Sequence, residues 1–222
     1  MEGVQVMPDQ SPFLLSVYDY TGNWAQPYIE AGWRVLLWDQ AYEGDILERF
    51  TTLQIMIEKE NCGRVDGLLA APPCTAFASS GARWWQDKDA PGSWDEPWDC
   101  LTEYMVGLAS LVLVMVELWQ PSFWALENPV GRLEKLVPDL APYRRLSFQP
   151  CDYGDPYTKR TIIWGKFNAE LEKKPVDPVK GSMMHRLPAS AARARFRSAT
   201  PPGFARAFYQ ANMKSDDGRH EG

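Results

Sequence analysis

VDGLLAAPPCTAFASSG, residues Val65–Gly81, decides how the chain is read. Its first half is a short apolar run of the length of a buried strand. Two prolines end it, because proline has no amide hydrogen to give to a sheet ladder. Cys74 therefore stands at the mouth of the strand, with small residues and Gly81 behind it. A strand apolar on both faces belongs in a parallel sheet covered by helices.

The flanking segments extend that pattern. FLLSVYDYTGNW reads as a strand running into a turn at Thr21-Gly22-Asn23, and AQPYIEAG as a short helix with Pro27 near its start and Gly32 at its end. WRVLLWD is a second strand closing on Asp39. DILERFTTLQIMIEKE has helical spacing, and RVDGLLAA is the third strand. A Trp-rich loop is expected from Cys74 to about Pro97. WDCLTEYMVGLASLVLVMVELW is a long buried helix, and SFWALENP a strand ending at Glu127-Asn128. RLSFQPCDYG and KRTIIWG are two further strands. Residues 166–197 look irregular. PPGFARAFYQANM is a last helix, and residues 214–222 are an expected disordered tail. Strands alternating with helices predict an α/β domain with a mostly parallel sheet and helices on both faces. Ligands of such sheets bind beyond the carboxyl ends of the strands. Gly22, Asp39, Cys74, Glu127 and Asn128 all fall there, which predicts an active site on that edge.

A chain of 222 residues suits one domain, with its core over about 13–213. The start, MEGVQVMPDQ, does not look like a targeting signal, and the apolar run Met105–Val116 is too short to span a bilayer. A cytoplasmic protein without membrane contact is expected. Cys62, Cys74, Cys100 and Cys151 show no CxxC spacing, and His185 and His220 are the only histidines. Neither a metal site nor a disulfide framework is predicted. The net charge of −6 is unevenly spread. Residues 1–142 carry 8 Lys/Arg against 21 Asp/Glu, a net of −13, and residues 143–222 carry 15 against 8, a net of +7. An acidic body with a basic last third is able to present one basic face to a polyanion.

Several segments, in order, resemble the cytosine-C5 DNA methyltransferases. APPCTAFASSG resembles their Pro-Cys motif and ALENPVG their Glu-Asn-Val motif. SVYDYTGNWAQPYIEAGW is similar to their first motif, and YEGDI to their Gly-Asp-Ile motif. CDYGDPYTKRTIIWG resembles their DYGxPQxRxR segment, and SATPPGFARAFYQAN their last motif. The resemblance runs from about Leu14 to Asn212 and is strongest to short phage-encoded members. It implies a Rossmann-like class I S-adenosylmethionine-dependent methyltransferase fold. There are departures. Thr75 stands for the usual Gln, Ala78 for Ser and Pro129 for Val. The stretch from Asp39 to Asp45 is too short for the usual intervening helix. Only residues 165–197 lie where the family carries a large recognition domain.

The chemistry explains the residue types. Cytosine C5 is a poor nucleophile until a thiolate adds to C6, which is covalent catalysis. The resemblance implies that Cys74 is that nucleophile, that Glu127 is the acid at N3, and that Asn128 positions the base or ties two loops together. Arg160 or Lys159 holds the exocyclic oxygen. The implied cofactor is S-adenosylmethionine. Tyr20, Gly22, Asn23 and Trp24 lie in its glycine turn, Asp39 suits a ribose diol, and Asp45 and Ile46 suit the adenine. Pro72 lies beside it. Ser198 and Thr200 either touch its methionine part or only cap a helix. Pro73, Ser79, Gly81, Arg83 and Pro129 are expected on the substrate side. Trp84 and Trp85 either stack on bases or pack on the body, as do Trp94 and Trp98.

The implied substrate is double-stranded DNA with a short target, its cytosine flipped out to reach Cys74. A reduced recognition segment, about 166–197, with Arg186, Arg193, Arg195 and Arg197, would hold the backbone. A monomer is expected, in the host cytoplasm if phage-encoded. A free cytosine nucleotide, RNA, and a non-catalytic subunit are the alternatives.

Overall fold

The computed structural model describes residues 11–61, 63–95, 97–182 and 197–213. Six strands form one sheet: β1 (Phe13–Val17), β2 (Arg34–Trp38), β3 (Gly67–Ala70), β4 (Phe123–Pro129), β5 (Arg144–Phe148) and β6 (Thr161–Lys166). Their spatial order is β2-β1-β3-β4-β6-β5. The first four are parallel, and β6 runs antiparallel to both β4 and β5. This is the mostly parallel, Rossmann-like α/β fold expected.

The helices are α1 (Gln26–Glu30), α2 (Gln40–Glu43), α3 (Ile46–Asn61), α4 (Trp85–Asp89), α5 (Leu101–Trp119), α6 (Leu133–Leu136) and α7 (Pro202–Met213). They cover both faces. One core gathers Leu15, Leu68 and Trp124 of the sheet with Leu53 and Ile57 of α3 and Leu108 and Val112 of α5. The other gathers Leu14, Leu69 and Ile163 with Tyr28 of α1 and Phe204 and Phe208 of α7. Adjacent residues of one strand thus enter opposite cores, because strand side chains alternate. That is why these strands read as unbroken apolar runs. β5 is the exception. It lies at the sheet edge, with Arg144 and Arg145 exposed along it, and charge is one way an edge is kept from pairing with another chain.

β2 lies on one side of β1 and β3 on the other. The strand order reverses there, and the crevice beyond the ends of β1 and β3 is where such sheets bind ligands. Tyr18–Tyr20 and Ala71–Cys74 emerge at that point.

Three expectations change. The one-turn α2 occupies the short stretch after Asp39, where no helix was expected; Asp39 Oδ1 accepts from the Ala41 amide and caps it. The Trp-rich loop is not wholly irregular, since it contains a 3-10 turn at Ser79–Trp84 and then α4. Finally, α5 outruns Met105–Val116. Its 19 residues, with mean hydropathy 1.7, are long and apolar enough to cross a membrane. In this fold Leu108, Ala109, Val112 and Met115 pack beneath the sheet, while Val114 and Leu118 are exposed.

Candidate active site

β3 stops because Pro72 and Pro73 follow it. The Cys74 carbonyl then accepts from the amides of Phe77 and Ala78, both at 2.9 Å, so Cys74 opens a tight turn. Buried Ala76 and Phe77 anchor the turn in the first core. The loop after β4 is stitched to it. Ser79 N donates to Val130 O at 2.9 Å, and Arg132 N to Phe77 O at 3.0 Å. Gly131 lies between these bonds, and a Cβ there would come 1.9 Å from Phe77 O. Below them the Asn128 amide donates to Pro72 O at 2.9 Å. Two loops distant in sequence are therefore tied together.

Glu127 and Asn128 end β4 with exposures of 4% and 0%. Lys159, only 7% exposed, enters from the segment before β6. Its Nζ lies 3.6 Å from Glu127 Oε1 and donates to Arg197 O at 2.9 Å. A charge this deep needs a partner, and each of these two carries the other. Arg160, the other basic candidate, points outward, with Nε 3.5 Å from Ser147 Oγ. Lys159 is thus the cation paired with Glu127. Glu127 Oε1 and Asn128 Oδ1 are buried without a hydrogen-bond partner among the described residues. Buried acceptors left open in this way are costly and mark places where a ligand can complete the bonding. Burial pushes the Cys74 thiol up; Lys159 pulls it down, Glu127 pushes it up, and Arg197 pulls it down.

Cys74 stands between two clefts. The larger, about 630 Å³, runs from Tyr20, Asp39 and Pro72 to Cys74, Glu127 and Lys159. Its volume is within the range of small-molecule and cofactor sites. Tyr20 stacks on Tyr42 of α2, rings 5.5 Å apart and nearly parallel. Asp39 is half-buried, which pushes its carboxyl up, while the Ala41 amide pulls it down. The smaller cleft, about 270 Å³, holds Ser79, Thr158, Arg160 and Ser182. Cys74, Pro129, Lys159 and Arg197 line both.

No family model matches the chain, and no curated protein matches it. Among solved structures it is similar to a prophage-encoded E. coli protein described as a DNA modification methyltransferase, at 15% identity and TM-score 0.41, over 74% of this chain and 49% of that one. It is similar to the methyltransferase EhMeth of Entamoeba histolytica at 13% identity and TM-score 0.46, over 82% and 61%. It is also similar to a DNMT2 mutant of Spodoptera frugiperda at 18% identity and TM-score 0.41, over 75% and 54%. The chain thus spans less than two thirds of the length of each of these proteins.

The sequence-derived candidates fall into three groups. Tyr20, Asp39, Pro72, Pro73, Gly81, Arg83, Trp84 and Ser198 line the larger cleft, and Ser79 and Arg160 the smaller. Gly22, Asn23, Trp24, Asp45, Ile46 and Thr200 line neither. Gly22 makes the turn, at φ 68°. Asn23 donates to Thr200 O. Trp24 is buried against Phe204 and Phe208, so its side chain belongs to the second core. Asp45 accepts from the Leu47 amide and the Tyr104 hydroxyl, and Ile46 is core. Arg186, Arg193, Arg195 and Cys62 lie outside the described residues.

The tryptophans divide. Trp84 is 51% exposed at the larger cleft. Trp85 lies under the Arg132 guanidinium at 4.5 Å, and Trp94 and Trp98 pack on Tyr104. Arg132 escaped the sequence reading. It pairs with both oxygens of Asp89 at 2.6 Å and donates to Ala76 O at 2.8 Å. It therefore clasps the loop that follows Cys74. Nothing in its local sequence, GRL, signals this.

Proposed function

We propose that this chain is an S-adenosylmethionine-dependent methyltransferase acting on C5 of cytosine, with Cys74 as its covalent nucleophile. The observation that carries the reading is Cys74 on the wall of both clefts with Glu127 and Lys159 beside it. The ordered family-like motifs support it.

The larger cleft fits the cofactor. Asp39 would accept from a ribose diol and Tyr20 would lie on a flat ring; both line this cleft with Pro72, which supports the reading. When bound, S-adenosylmethionine supplies the electrophilic methyl group that C5 takes up. The protein's own groups do the rest. The Cys74 thiolate adds to C6, and Glu127 gives its proton to N3. Lys159 holds the resting Glu127 carboxylate in place, and Glu127 takes the proton it gives to N3 from water as cytosine binds. After transfer, water takes the C5 proton, the C6–S bond breaks, and N3 returns its proton to Glu127. Cys74 leaves as thiolate.

Double-stranded DNA with a short target, its cytosine flipped out, is the substrate the resemblance implies, for a monomeric enzyme. One observation favours a second reading, a free cytosine nucleotide. Residues 167–182 lie along the body rather than building a recognition module. Lys174 N donates to Asp152 O, Val176 N to Cys151 O and Lys180 N to Pro156 O.

The test uses cytosine carrying fluorine at C5, in a duplex and as a nucleotide. Fluorine cannot leave as a proton, so the Cys74 adduct should persist and add the substrate's mass. The adduct must need the cofactor and vanish in Cys74→Ala. Cofactor binding without adduct or transfer on either substrate would instead mark a non-catalytic subunit.

A further inference from the structure

The crossovers on the first-core face are uneven. β2 is joined to β3 through the 16 residues of α3, and β3 to β4 through the 19 of α5. β4 and β5 run parallel with β6 between them, so the chain must cross the sheet once more. It does so through α6, of four residues, and a 3-10 turn at Pro138–Leu140. One turn of helix cannot cover what a full crossover helix covers. A groove of about 840 Å³ is left between α5 and the stretch Asp139–Arg144, with Trp124 and Gly165 also lining it.

α5 is more apolar than its packing requires. Its mean hydropathy is 1.7, yet less than half of that stretch is buried. Leu111, Val114 and Leu118 follow at spacings of three and four, which puts them on one side as a ridge. Val114 and Leu118 are 51% and 48% exposed, and Tyr143 in the groove is 38% exposed. Soluble monomers seldom leave an apolar ridge beside an apolar groove in water. Charge says what covers them. Glu117 stands on the α5 wall, and Arg144 and Lys166 stand at the sheet end of the groove. All three are exposed, and among the described residues none makes an ion pair. Asp139 is the fourth charge and leaves the sheet end net basic. Such a surface is complementary to itself. A two-fold axis lays the ridge of each copy in the groove of the other and sets each Glu117 against Arg144 of the second copy, so every contact occurs twice.

We propose that this chain pairs with a second copy of itself through the α5 ridge and this groove. The pairing departs from the monomer that the resemblance implies. It does not rest on the methyltransferase reading, because the groove opens at the start of β4 and Glu127 lies near its exit.

Sedimentation velocity of the full-length protein tests it. Over about a hundredfold range of concentration, a species of twice 25.2 kDa should form and dissociate on dilution. V114E/L118E puts two carboxylates on the ridge and should leave only monomer, with an unchanged circular dichroism spectrum. Glu117→Lys and Arg144→Glu change exposed side chains. Each alone should raise the dissociation constant at least about tenfold, because like charges then face each other. Mixing these two single variants should restore pairing, since both contacts are again between opposite charges. Monomer throughout, a dimer that survives V114E/L118E, or a mixture that pairs no better than the single variants would overturn the proposal. Methyl transfer is not the readout, so failure here leaves the proposed function standing.

Discussion

The Nζ of Lys159 lies 3.6 Å from Glu127 Oε1, and both side chains are nearly removed from water. The pair sits beside Cys74, whose thiol burial pushes up and Lys159 pulls down. The thiolate is the reactive form, so alkylation of Cys74 should be slow near neutral pH and accelerate as pH rises. Lys159→Met removes the largest downward pull and should move that profile further alkaline. Peptide-level iodoacetamide kinetics from about pH 7 to about pH 10 check this. An unmoved profile would mean that the ammonium does not act on the sulfur.

Glu127→Gln keeps the shape and removes the acid. Methyl transfer should fall by about 10²–10⁴, the usual worth of a positioned acid. Cofactor affinity should change little, because the carboxylate is at the Cys74 end of the larger cleft and not at the Asp39 end. Single-turnover transfer and equilibrium cofactor binding separate the two effects.

Arg132→Ala should loosen the loop behind Cys74. It removes two bonds to Asp89, one to Ala76 O and the contact with the Trp85 ring. Hydrogen bonds to charged groups are worth about 1.5–3 kcal/mol each, and Asp89 is partly exposed, so a loss of about 2 kcal/mol overall is expected. Urea unfolding measures it. Limited proteolysis should show new cuts between Trp84 and Asp99 before global unfolding begins.

Gly131→Ala should separate the two stitched loops. The added carbon would sit 1.9 Å from Phe77 O and 2.7 Å from its carbonyl carbon, both backbone atoms that cannot swing aside. Transfer should collapse while the strands persist. Circular dichroism compared with activity will show whether the damage is local.

Much of this was legible because it is local. Strands such as Phe13–Val17 are apolar runs, and their ends place Cys74, Asp39 and Glu127 on one edge. What was not legible depends on contacts across the chain. That Lys159 and not Arg160 pairs with Glu127 is set by how the segment before β6 enters the sheet, which adjacent basic residues do not reveal. That Asp45 also accepts from the hydroxyl of Tyr104, 59 residues away, is a contact no local motif announces. Burial and this bond push the Tyr104 hydroxyl up to about 12, so it stays a donor. Trp94 and Trp98 cover the same tyrosine, which no spacing rule could have announced.

The strap of residues 167–182 has a practical consequence. The chain reaches one wall of the smaller cleft at Ser182 and another at Arg197. The bonds that hold the Cys74 turn to the β4 exit, at Ser79, Asn128 and Arg132, lie elsewhere. A reader module joined after Ser182 would arrive beside the smaller cleft, and the one bond near its far junction is that of Lys159 to Arg197 O. The scaffold is in that sense a tool head, whose address could be written by fusion rather than by redesign.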